Sequence, residues 1–415
     1  MAVIRPFQAV RPASGKAEAV AALPYDVYNR KEACEAVKDR PLSFLRIDRA
    51  ETSFPDTVDT YDPLVYAKAD EMLKTWQENG TFVQEEVPCF YVYALTMDGR
   101  TQTGLAACSS IDDYLSGVIL KHENTRADKE LDRIHHVDTT SAQTGPIFLA
   151  YRDDARIDAV IESVKQGAPL YDFVSEDGIG HALWRIDDPD TVGTLTELFG
   201  ALPHTYIADG HHRAASAVKV GLKRREAHPD YDGTEEFNYF LSVLFPQNQL
   251  KILDYNRVVK DLGPYTPEGF TEWISADFDI EKKSSEGKPY RPEKKGEFGM
   301  LLNGSWYKLT AKPHILSDDP VKGLDVSILQ DHLFGPVLGI EDPKTDSRID
   351  FIGGIRGLAE LEKRVHEDSA AAFAMFPTSM EELFRVADAG LLMPPKSTWF
   401  EPKLRSGLLI HRFER

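Results

Sequence analysis

The chain has 415 residues, enough for two or three domains, and its 42% of hydrophobic residues can form a packed core. Its formal net charge of −19 disfavours non-specific binding to DNA or RNA, which requires an excess of Lys and Arg. No apolar run approaches the roughly 18 residues of a membrane-spanning helix, and no secretory signal precedes Arg5. We therefore expect a cytoplasmic protein with neither nucleic acid nor a membrane as its partner.

The N-terminal region, residues 1–100, alternates short apolar segments with helical stretches. The segment after Pro24 is predicted to be extended or to form a turn, because proline biases its neighbours away from the helix. A helix is predicted over residues 64–78. Extended segments that contain Pro, Tyr and Asp often line pockets, so Tyr25 and Asp26 are candidate pocket residues. The alternative is a structural turn in which Tyr25 packs against the protein.

Residues 101–250 form the predicted central unit, with a hairpin turn at Asp98-Gly99 just before it. The segment around His135 and His136 is rich in Asp, Lys, Arg and His, and it is predicted to be an exposed helix or loop. The remaining apolar segments predict strands over 104–108, 118–120, 146–151, 181–186 and 238–245, and helices over 158–164 and 191–199.

A third region is predicted over residues 251–415. Its first strand covers 253–259, and the charged stretch 281–295 is expected to be an exposed loop. The helix predicted from Ser379 to Ala389 begins with a capping box and ends at Gly390.

Three cations lie close together in the tail of this acidic chain: Lys396, Lys403 and Arg405. They could neutralise phosphate groups. A solvated cluster of charges is the alternative interpretation.

The most informative motif follows a short apolar run that ends in Asp209 and Gly210. His211, His212 and Arg213 come next, before an alanine-rich stretch, and the pattern predicts a strand, a tight turn and a helix. Backbone N–H groups at a helix start favour anions, and arginine binds phosphate with a planar fork of donors. We interpret this loop as the floor of a phosphate-handling site. A helix cap made by Asp209 is the alternative, and zinc is disfavoured because adjacent histidines are poorly spaced ligands.

A second polar motif, His122-Glu123-Asn124-Thr125, directly follows a predicted strand. A glutamate at a strand end near a phosphate site is a suitable general base for a substrate hydroxyl. It could equally orient a metal ion. The alternative without a catalytic role is an exposed turn capped by Asn124 or Thr125.

Other nucleotide and nucleophile motifs are absent from the sequence. There is no Gly-x-x-x-x-Gly-Lys-Ser/Thr phosphate loop, and the glycines at 353, 354 and 357 do not form a dinucleotide-binding fingerprint. There is also no Gly-x-Ser-x-Gly elbow and no protein-kinase signature set. The commonest alternative to a phosphate site at residues 209–213 is therefore missing.

The order of four motifs gives the chain a family resemblance. They are Pro-Tyr-Asp-Val at 24–27, His-Glu-Asn-Thr at 122–125, Asp-Gly-His-His-Arg at 209–213 and Lys-Ser-Thr-x-Phe-x-Pro-Lys at 396–403. Over nearly its whole length the chain resembles DUF1015, a large prokaryotic family with a domain of unknown function. The central region is also similar to free serine kinases and, more remotely, to the ParB/sulfiredoxin fold.

The resemblance to free serine kinases implies roles for particular residues. In that pattern a glutamate, matched here by Glu123, is the catalytic base, while the Asp-Gly-His-His-Arg loop binds phosphate and assists catalysis. The implied catalytic residues are Glu123, Asp209 and His212, and Asp209 would also hold Mg²⁺ or orient a histidine. The implied phosphate-binding and nucleotide-binding residues are Gly210, His211, His212 and Arg213. The predicted substrate pocket contains Tyr25, Asp26, His122, Thr125, Lys396 and Lys403.

The sequence thus predicts an α+β protein with a ParB/sulfiredoxin-like central domain built on a mixed sheet, flanked by N- and C-terminal α/β regions. The predicted function is a phosphotransferase that moves a phosphoryl group from ATP or ADP, with Mg²⁺, to the hydroxyl of a small metabolite such as free serine. The main alternative is a nucleotide- or metabolite-binding regulator that hydrolyses slowly or not at all. A metal-dependent hydrolase that uses His122, His211 and His212 is the third, and the sequence leaves open whether the chain forms a homo-oligomer.

Overall fold

The computed structural model describes residues 1–125, 127–285 and 287–413. The strands are β1 Ile4–Arg5, β2 Val10–Pro12, β3 Phe82–Gln84, β4 Phe90–Met97, β5 Arg100–Ser110, β6 Ile119–Leu120, β7 Ala142–Gln143, β8 Ile147–Tyr151, β9 Tyr171–Val174, β10 Gly180–Ile186, β11 Thr205–Asp209, β12 Tyr239–Pro246, β13 Ile252–Leu253, β14 Tyr255–Val259, β15 Phe278–Ser285, β16 Glu297–Leu302, β17 Ser305–Ala311, β18 Ile349–Gly353, β19 Ala371–Ala374, β20 Trp399–Phe400 and β21 His411–Arg412.

The described residues also form α-helices. They are α1 Ala17–Val20, α2 Arg30–Val37, α3 Leu45–Asp48, α4 Pro63–Glu78, α5 Ile111–Ser116, α6 Ala127–Thr140, α7 Ala155–Val164, α8 Pro189–Gly200, α9 His211–Ala227, α10 Pro267–Ile274, α11 Asp325–Leu329, α12 Ala359–Glu367 and α13 Met380–Asp388. Within those residues, no helix combines the length and apolar character needed to cross a bilayer.

The chain forms two compact units, and the first consists of residues 1–250 together with 402–415. The second consists of residues 251–401. The regions predicted over 1–100 and 101–250 fall into one unit, because strands β1 and β4 both pair with β5 and so share a sheet with it. The region predicted over 251–415 is divided between the two units.

The first unit is built on a mixed sheet, as the sequence predicts. Among the residues that the structure describes, nine strands form it in the order β6-β11-β8-β12-β5-β4-β10-β9, with β1 pairing to β5. The pairs β11–β6 and β12–β8 are parallel, and the other pairs are antiparallel. The α+β fold class is therefore confirmed.

The predicted hairpin between β4 and β5 turns at Asp98 and Gly99, which have φ angles of 52° and 74°. Two consecutive positive φ values match the right-handed twist of the flanking strands, and glycine adopts them without strain. One face of these strands packs against α9, where Ala214 and Val218 contribute to the same buried cluster. The main core thus lies directly beneath the helix that follows the Asp209 loop.

Helix α6 corrects the prediction that the charged segment around His136 is solvated. His135 is exposed, but Asp132, Arg133 and His136 are each less than 9% exposed. The guanidinium of Arg133 pairs with Asp132 and lies 3.9 Å from the centre of the Tyr25 ring. Burial of these groups is tolerated because the charges are paired and hydrogen-bonded within the fold.

In the second unit, strands pair antiparallel in the order β15-β17-β16-β19-β14-β18. The expected loop over 281–295 begins instead as the edge strand β15, which extends to Ser285. Charged side chains suit an edge strand, because they oppose further pairing. The predicted capping box is confirmed: Ser379 and Glu382 exchange hydrogen bonds at the start of α13, and Gly390 follows its end with φ 66°.

Candidate functional site

The loop from Asp209 to Arg213 has the predicted strand–turn–helix structure. Strand β11 shifts register against β8 between Ile207 and Asp209, an irregularity of the kind that redirects a side chain at a strand end. Gly210 follows with φ 91°, and α9 begins at His211. A Cβ atom at 210 would lie 3.0 Å from the guanidinium carbon of Arg213. Glycine is therefore favoured here by both the backbone angle and the packing.

The carboxylate of Asp209 lies between two cations. Its Oδ2 atom is 3.3 Å from Nη2 of Arg213 and 3.5 Å from Nζ of Lys403. Burial alone would raise the pKa of Asp209, but Lys403, Arg213 and the nearby His211 together lower it below its ordinary value. Asp209 is therefore ionised at neutral pH, and the structure brings the tail residue Lys403 to the predicted loop.

The alternative interpretation, a helix cap made by Asp209, does not match the structure. Gly210 is the N-cap residue of α9, and within the described residues it has no side-chain cap hydrogen bond. Backbone N–H groups in the first turn of a helix have no intrahelical acceptor and carry partial positive charge. This end of α9 therefore carries partial positive charge, and its role in binding phosphate stays a prediction.

Arg213 is held more firmly by the protein than its predicted role in binding phosphate suggests. Its Nη1 atom donates to the carbonyl of Pro146, and Nη2 donates to Asp209. The side chain is only 10% exposed. Arg213 therefore positions Asp209 and contributes positive charge, rather than offering both terminal nitrogens to a ligand.

Asp209 is a poor fit as the predicted Mg²⁺ ligand. The ion requires carboxylate oxygens that are free to coordinate it at about 2.1 Å in an octahedral arrangement. Both contacts of Asp209 Oδ2 are already with cations, which would repel a third. The arrangement instead favours an orienting and electrostatic role for Asp209.

A second cluster lies beside the loop and joins the two predicted motifs. The rings of His122 and His211 are perpendicular, with centroids 4.6 Å apart. One nitrogen of each ring and a carboxylate oxygen of Glu123 all lie within 4.8 Å of one another. The general-base candidate is thus adjacent to the first residue of the candidate phosphate-binding helix.

Burial determines the charge of these histidines. It lowers the pKa of His122 to about 4, despite a backbone hydrogen bond with Ile207 and the negative charge of Asp209. Burial and the neighbouring His122 also hold the pKa of His211 well below its ordinary value. Both imidazoles are therefore neutral at pH 7. His212 is half-buried, so the two adjacent histidines differ in environment, as their helical positions require.

We expect His122 to make stability depend on pH. An unfolded histidine titrates near 6.5, whereas folded His122 titrates near 4, so its contribution is present above pH 6.5 and is lost as the pH falls towards 4. When the pH is lowered from 7 to 5, the wild type should lose about 2 kcal/mol more of its unfolding free energy than His122→Asn does. Denaturant titrations at both pH values measure this difference. Exposed His135→Gln is the control, and an unchanged pH dependence in His122→Asn would contradict the assignment.

The predicted pocket residues near the N-terminus have different environments. Tyr25 is 7% exposed beneath Arg133, whereas Asp26 is exposed to solvent. The hydroxyl of Thr125 donates to Glu130 at 2.7 Å, which ties the segment after Glu123 to helix α6. The hydroxyl of Thr125 thus stabilises the local structure through Glu130, and its role in the substrate pocket stays a prediction.

Two cavities adjoin Tyr25. The larger, of about 540 Å³, has Tyr25, Asp26 and Arg133 in its wall, and the smaller, of about 30 Å³, extends to Arg213. Their common wall consists of Tyr25, Asp48, Arg133 and His136. The predicted segment 24–27 thus connects a cavity of ligand size with the Asp209 loop.

Sequence reasoning missed the buried polar groups of this common wall. Asp48 of this wall accepts a hydrogen bond from Thr144 at 2.7 Å, and the neighbouring Asp132, which lines the larger cavity alone, accepts one from Tyr66 at 3.0 Å. The available signal was spacing: Asp132, His136 and Thr140 recur at intervals of four, which places them on one helix face. That face is polar yet buried, so a search for apolar periodicity does not detect it.

Lys396 and Lys403 belong to different units. Lys403 contacts Asp209 within the first unit. Lys396 belongs to the second unit, where its Nζ lies 5.7 Å from the centre of the Tyr255 ring. A role for Lys396 in the substrate pocket stays a prediction.

Comparison with known families identifies the lineage of the chain. The family described as "Protein of unknown function (DUF1015)" matches residues 4–327, more than three quarters of the sequence. The chain belongs to this family. The resemblance that the four motifs indicate is therefore confirmed for DUF1015, while no curated protein matches the chain.

Several solved structures resemble this DUF1015 protein at low identity. A mutant free serine kinase in complex with AMP is 13% identical, with a TM-score of 0.36 over 74% of this chain and 92% of the kinase. SbnI from Staphylococcus aureus, with a C-terminal truncation, is 10% identical, with a TM-score of 0.37 over 74% and 87%. A conserved hypothetical protein from Pyrococcus furiosus is 14% identical, with a TM-score of 0.34 over 74% and 94%. At TM-scores below 0.5, these likenesses assign neither a ligand nor an activity.

Proposed function

We propose that this DUF1015 protein is a phosphotransferase that uses ATP or ADP to phosphorylate the hydroxyl of a small metabolite, with free serine as the first candidate. One observation carries the proposal: an oxygen of Glu123 lies within 4.8 Å of a ring nitrogen of His211, the first residue of α9. A carboxylate base and a helix N-terminus that stabilises negative charge are two parts that catalyse phosphoryl transfer to a hydroxyl.

The proposed step assigns one task to each part of the site. Glu123 takes the proton of the acceptor hydroxyl as that oxygen bonds to the terminal phosphorus of the nucleotide. The bond from phosphorus to the bridging oxygen breaks, and ADP leaves from ATP, or AMP leaves from ADP. The N-terminus of α9, Lys403 and the charge of Arg213 stabilise the negative charge on the transferring group. Asp209 holds Lys403 and Arg213 in place, and His211 and His212 are the side chains of the loop that would contact the phosphate.

The acceptor would occupy the 540 Å³ cavity whose wall contains Tyr25. That volume lies in the usual range for small-molecule sites. The wall carries both signs of charge, with acidic Asp26, Glu51 and Asp59 and basic Arg30, Arg49 and Lys129. Such a mixture suits a zwitterion such as an amino acid better than a purely anionic or purely apolar acceptor. This supports serine as the first acceptor to test.

An acceptor panel tests the reaction class. The purified chain is incubated with Mg²⁺ and ATP or ADP, together with free serine, other hydroxy amino acids or sugars, and products are measured by mass spectrometry. The proposal expects nucleotide consumption in proportion to a phosphorylated product. Nucleotide binding without turnover on any acceptor would favour the regulatory alternative. Turnover without nucleotide that a chelator abolishes would favour the hydrolase.

Lys403→Met is expected to weaken binding of ATP and ADP about tenfold or more, because a charge-assisted hydrogen bond contributes roughly 1.5–3 kcal/mol. Isothermal titration calorimetry measures the affinity, and the thermal midpoint reports any effect of losing the contact with Asp209. The matched control is Lys74→Met, which replaces a half-exposed lysine paired with Asp70 on α4. Equal nucleotide affinity in the wild type and in Lys403→Met would refute the assignment of Lys403.

A further inference from the structure

We propose that His122, Glu123 and His211 bind a divalent transition-metal ion of the Zn²⁺ class. The three residues come from two different segments, the turn after β6 and the first turn of α9. Their potential ligand atoms nevertheless lie within 4.8 Å of one another. Donors around one Zn²⁺ ion lie about 3–4 Å apart, since each bond is about 2.0–2.2 Å long. Small side-chain rotations would therefore close the cluster around an ion.

A second observation points to a ligand at the same place. His211 is only 7% exposed, and its Nε2 atom is buried without a hydrogen-bond partner in the part of the chain that the structure describes. A buried ring nitrogen normally has such a partner, because leaving it unsatisfied is unfavourable. A metal ion would satisfy this nitrogen.

The donor set determines the class of ion. Two imidazoles and one carboxylate suit Zn²⁺, Co²⁺, Ni²⁺ or Fe²⁺, whereas Mg²⁺ and Ca²⁺ prefer oxygen ligands. Imidazole binds metals in its neutral form. Three protein ligands would leave a further position for water or an anion, as in catalytic zinc sites. This site is distinct from the predicted Mg²⁺ ligand Asp209.

The inference goes beyond the phosphotransferase proposal and does not depend on it. It also differs from the hydrolase alternative, because Glu123 takes the place of His212 among the ligands. A metal-bound Glu123 would have less affinity for a proton, so an ion of this class is expected to inhibit phosphoryl transfer. Metal binding itself is measured without nucleotide or acceptor, and its failure would leave the phosphotransferase proposal standing.

The test uses the full chain after removal of metals with EDTA. Titration with Zn²⁺ by calorimetry should reveal one equivalent per chain, and Co²⁺ should give a visible absorption band from its coordination by nitrogen and oxygen. His211→Asn should weaken the Zn²⁺ affinity at least tenfold and remove the Co²⁺ band. Mg²⁺ at millimolar concentration should not displace the ion.

Two further variants keep the test decisive. Glu123→Gln changes a half-buried side chain with little change in shape, and it should also weaken binding if His211→Asn fails to fold. His135→Gln removes an exposed histidine, and this variant should still bind one Zn²⁺ ion per chain. Absence of a Zn²⁺ equivalent in the wild type, or its retention in both His211→Asn and Glu123→Gln, would overturn the proposal.

Discussion

Glu123→Gln is expected to lower phosphoryl transfer by about 10²–10⁴-fold, the usual contribution of a general base. Glutamine keeps the size of the side chain and its capacity for hydrogen bonds, but it cannot take a proton. The residue lies beside His211 at the helix start, so its substitution should alter the chemical step rather than the fold. Nucleotide affinity should stay within about twofold of the wild type. Steady-state kinetics with the best acceptor, together with calorimetric binding of ATP and ADP, measure the two quantities separately.

Glu162→Gln is the matched control, because Glu162 is an exposed residue of α7 that pairs with Lys165. Its activity should equal that of the wild type. Normal turnover by Glu123→Gln would remove Glu123 from the role of base. Equal losses of turnover and of nucleotide binding would instead indicate damage to the site as a whole.

Local sequence signals predicted the parts of the site that local geometry determines. Asp209 and Gly210 end a short apolar run, and the resulting strand, turn and helix match the observed β11 and α9. The Asp98-Gly99 turn was equally clear, because two consecutive positive φ angles restrict the sequence strongly. In both places, a few adjacent residues determine the local backbone structure.

Contacts between residues that are far apart in the sequence cannot be predicted from local patterns. The sequence predicts that Arg213 binds phosphate, but it gives no sign that the guanidinium donates to the carbonyl of Pro146, 67 residues earlier. The spacing of His211 and His212 argued against zinc, but the structure pairs His211 with His122, which is remote in sequence. The parallel pairing of β11 with β6 brings these two segments together.

Charge content misled the interpretation of helix α6. Its many ionisable residues predict exposure, but Arg133 and Asp132 are buried as a pair next to Tyr25. A composition average cannot distinguish a solvated charge from one that has a partner elsewhere in the fold. Local pattern also leaves the role of Glu123 undecided. Its assignment as a catalytic candidate therefore depends on the resemblance to known families.

Gly221→Ala is expected to reduce the free energy of unfolding by about 2–3 kcal/mol, although alanine is the better helix former. Gly221 lies in α9, and a Cβ atom there would be 2.5 Å from the carbonyl oxygen of Phe237 and 2.8 Å from Cδ1 of Ile111. The first neighbour is backbone and cannot rotate away, so the helix itself must shift. Because α9 carries the Asp209 loop at its N-terminus, nucleotide affinity should fall as well. Chemical denaturation and calorimetry measure the two effects.

Gly193→Ala provides the opposite case within the same unit. Gly193 lies on the exposed side of α8, and a Cβ atom there would meet no heavy atom within 4 Å. Only the helix propensity changes, so stability should rise by roughly 0.5–1 kcal/mol with no change in nucleotide binding. If both substitutions stabilised the protein equally, the result would contradict the close packing of Gly221 in α9 against the carbonyl of Phe237. If Gly221→Ala lost stability but kept full nucleotide affinity, the N-terminus of α9 would not be coupled to its packing at Gly221.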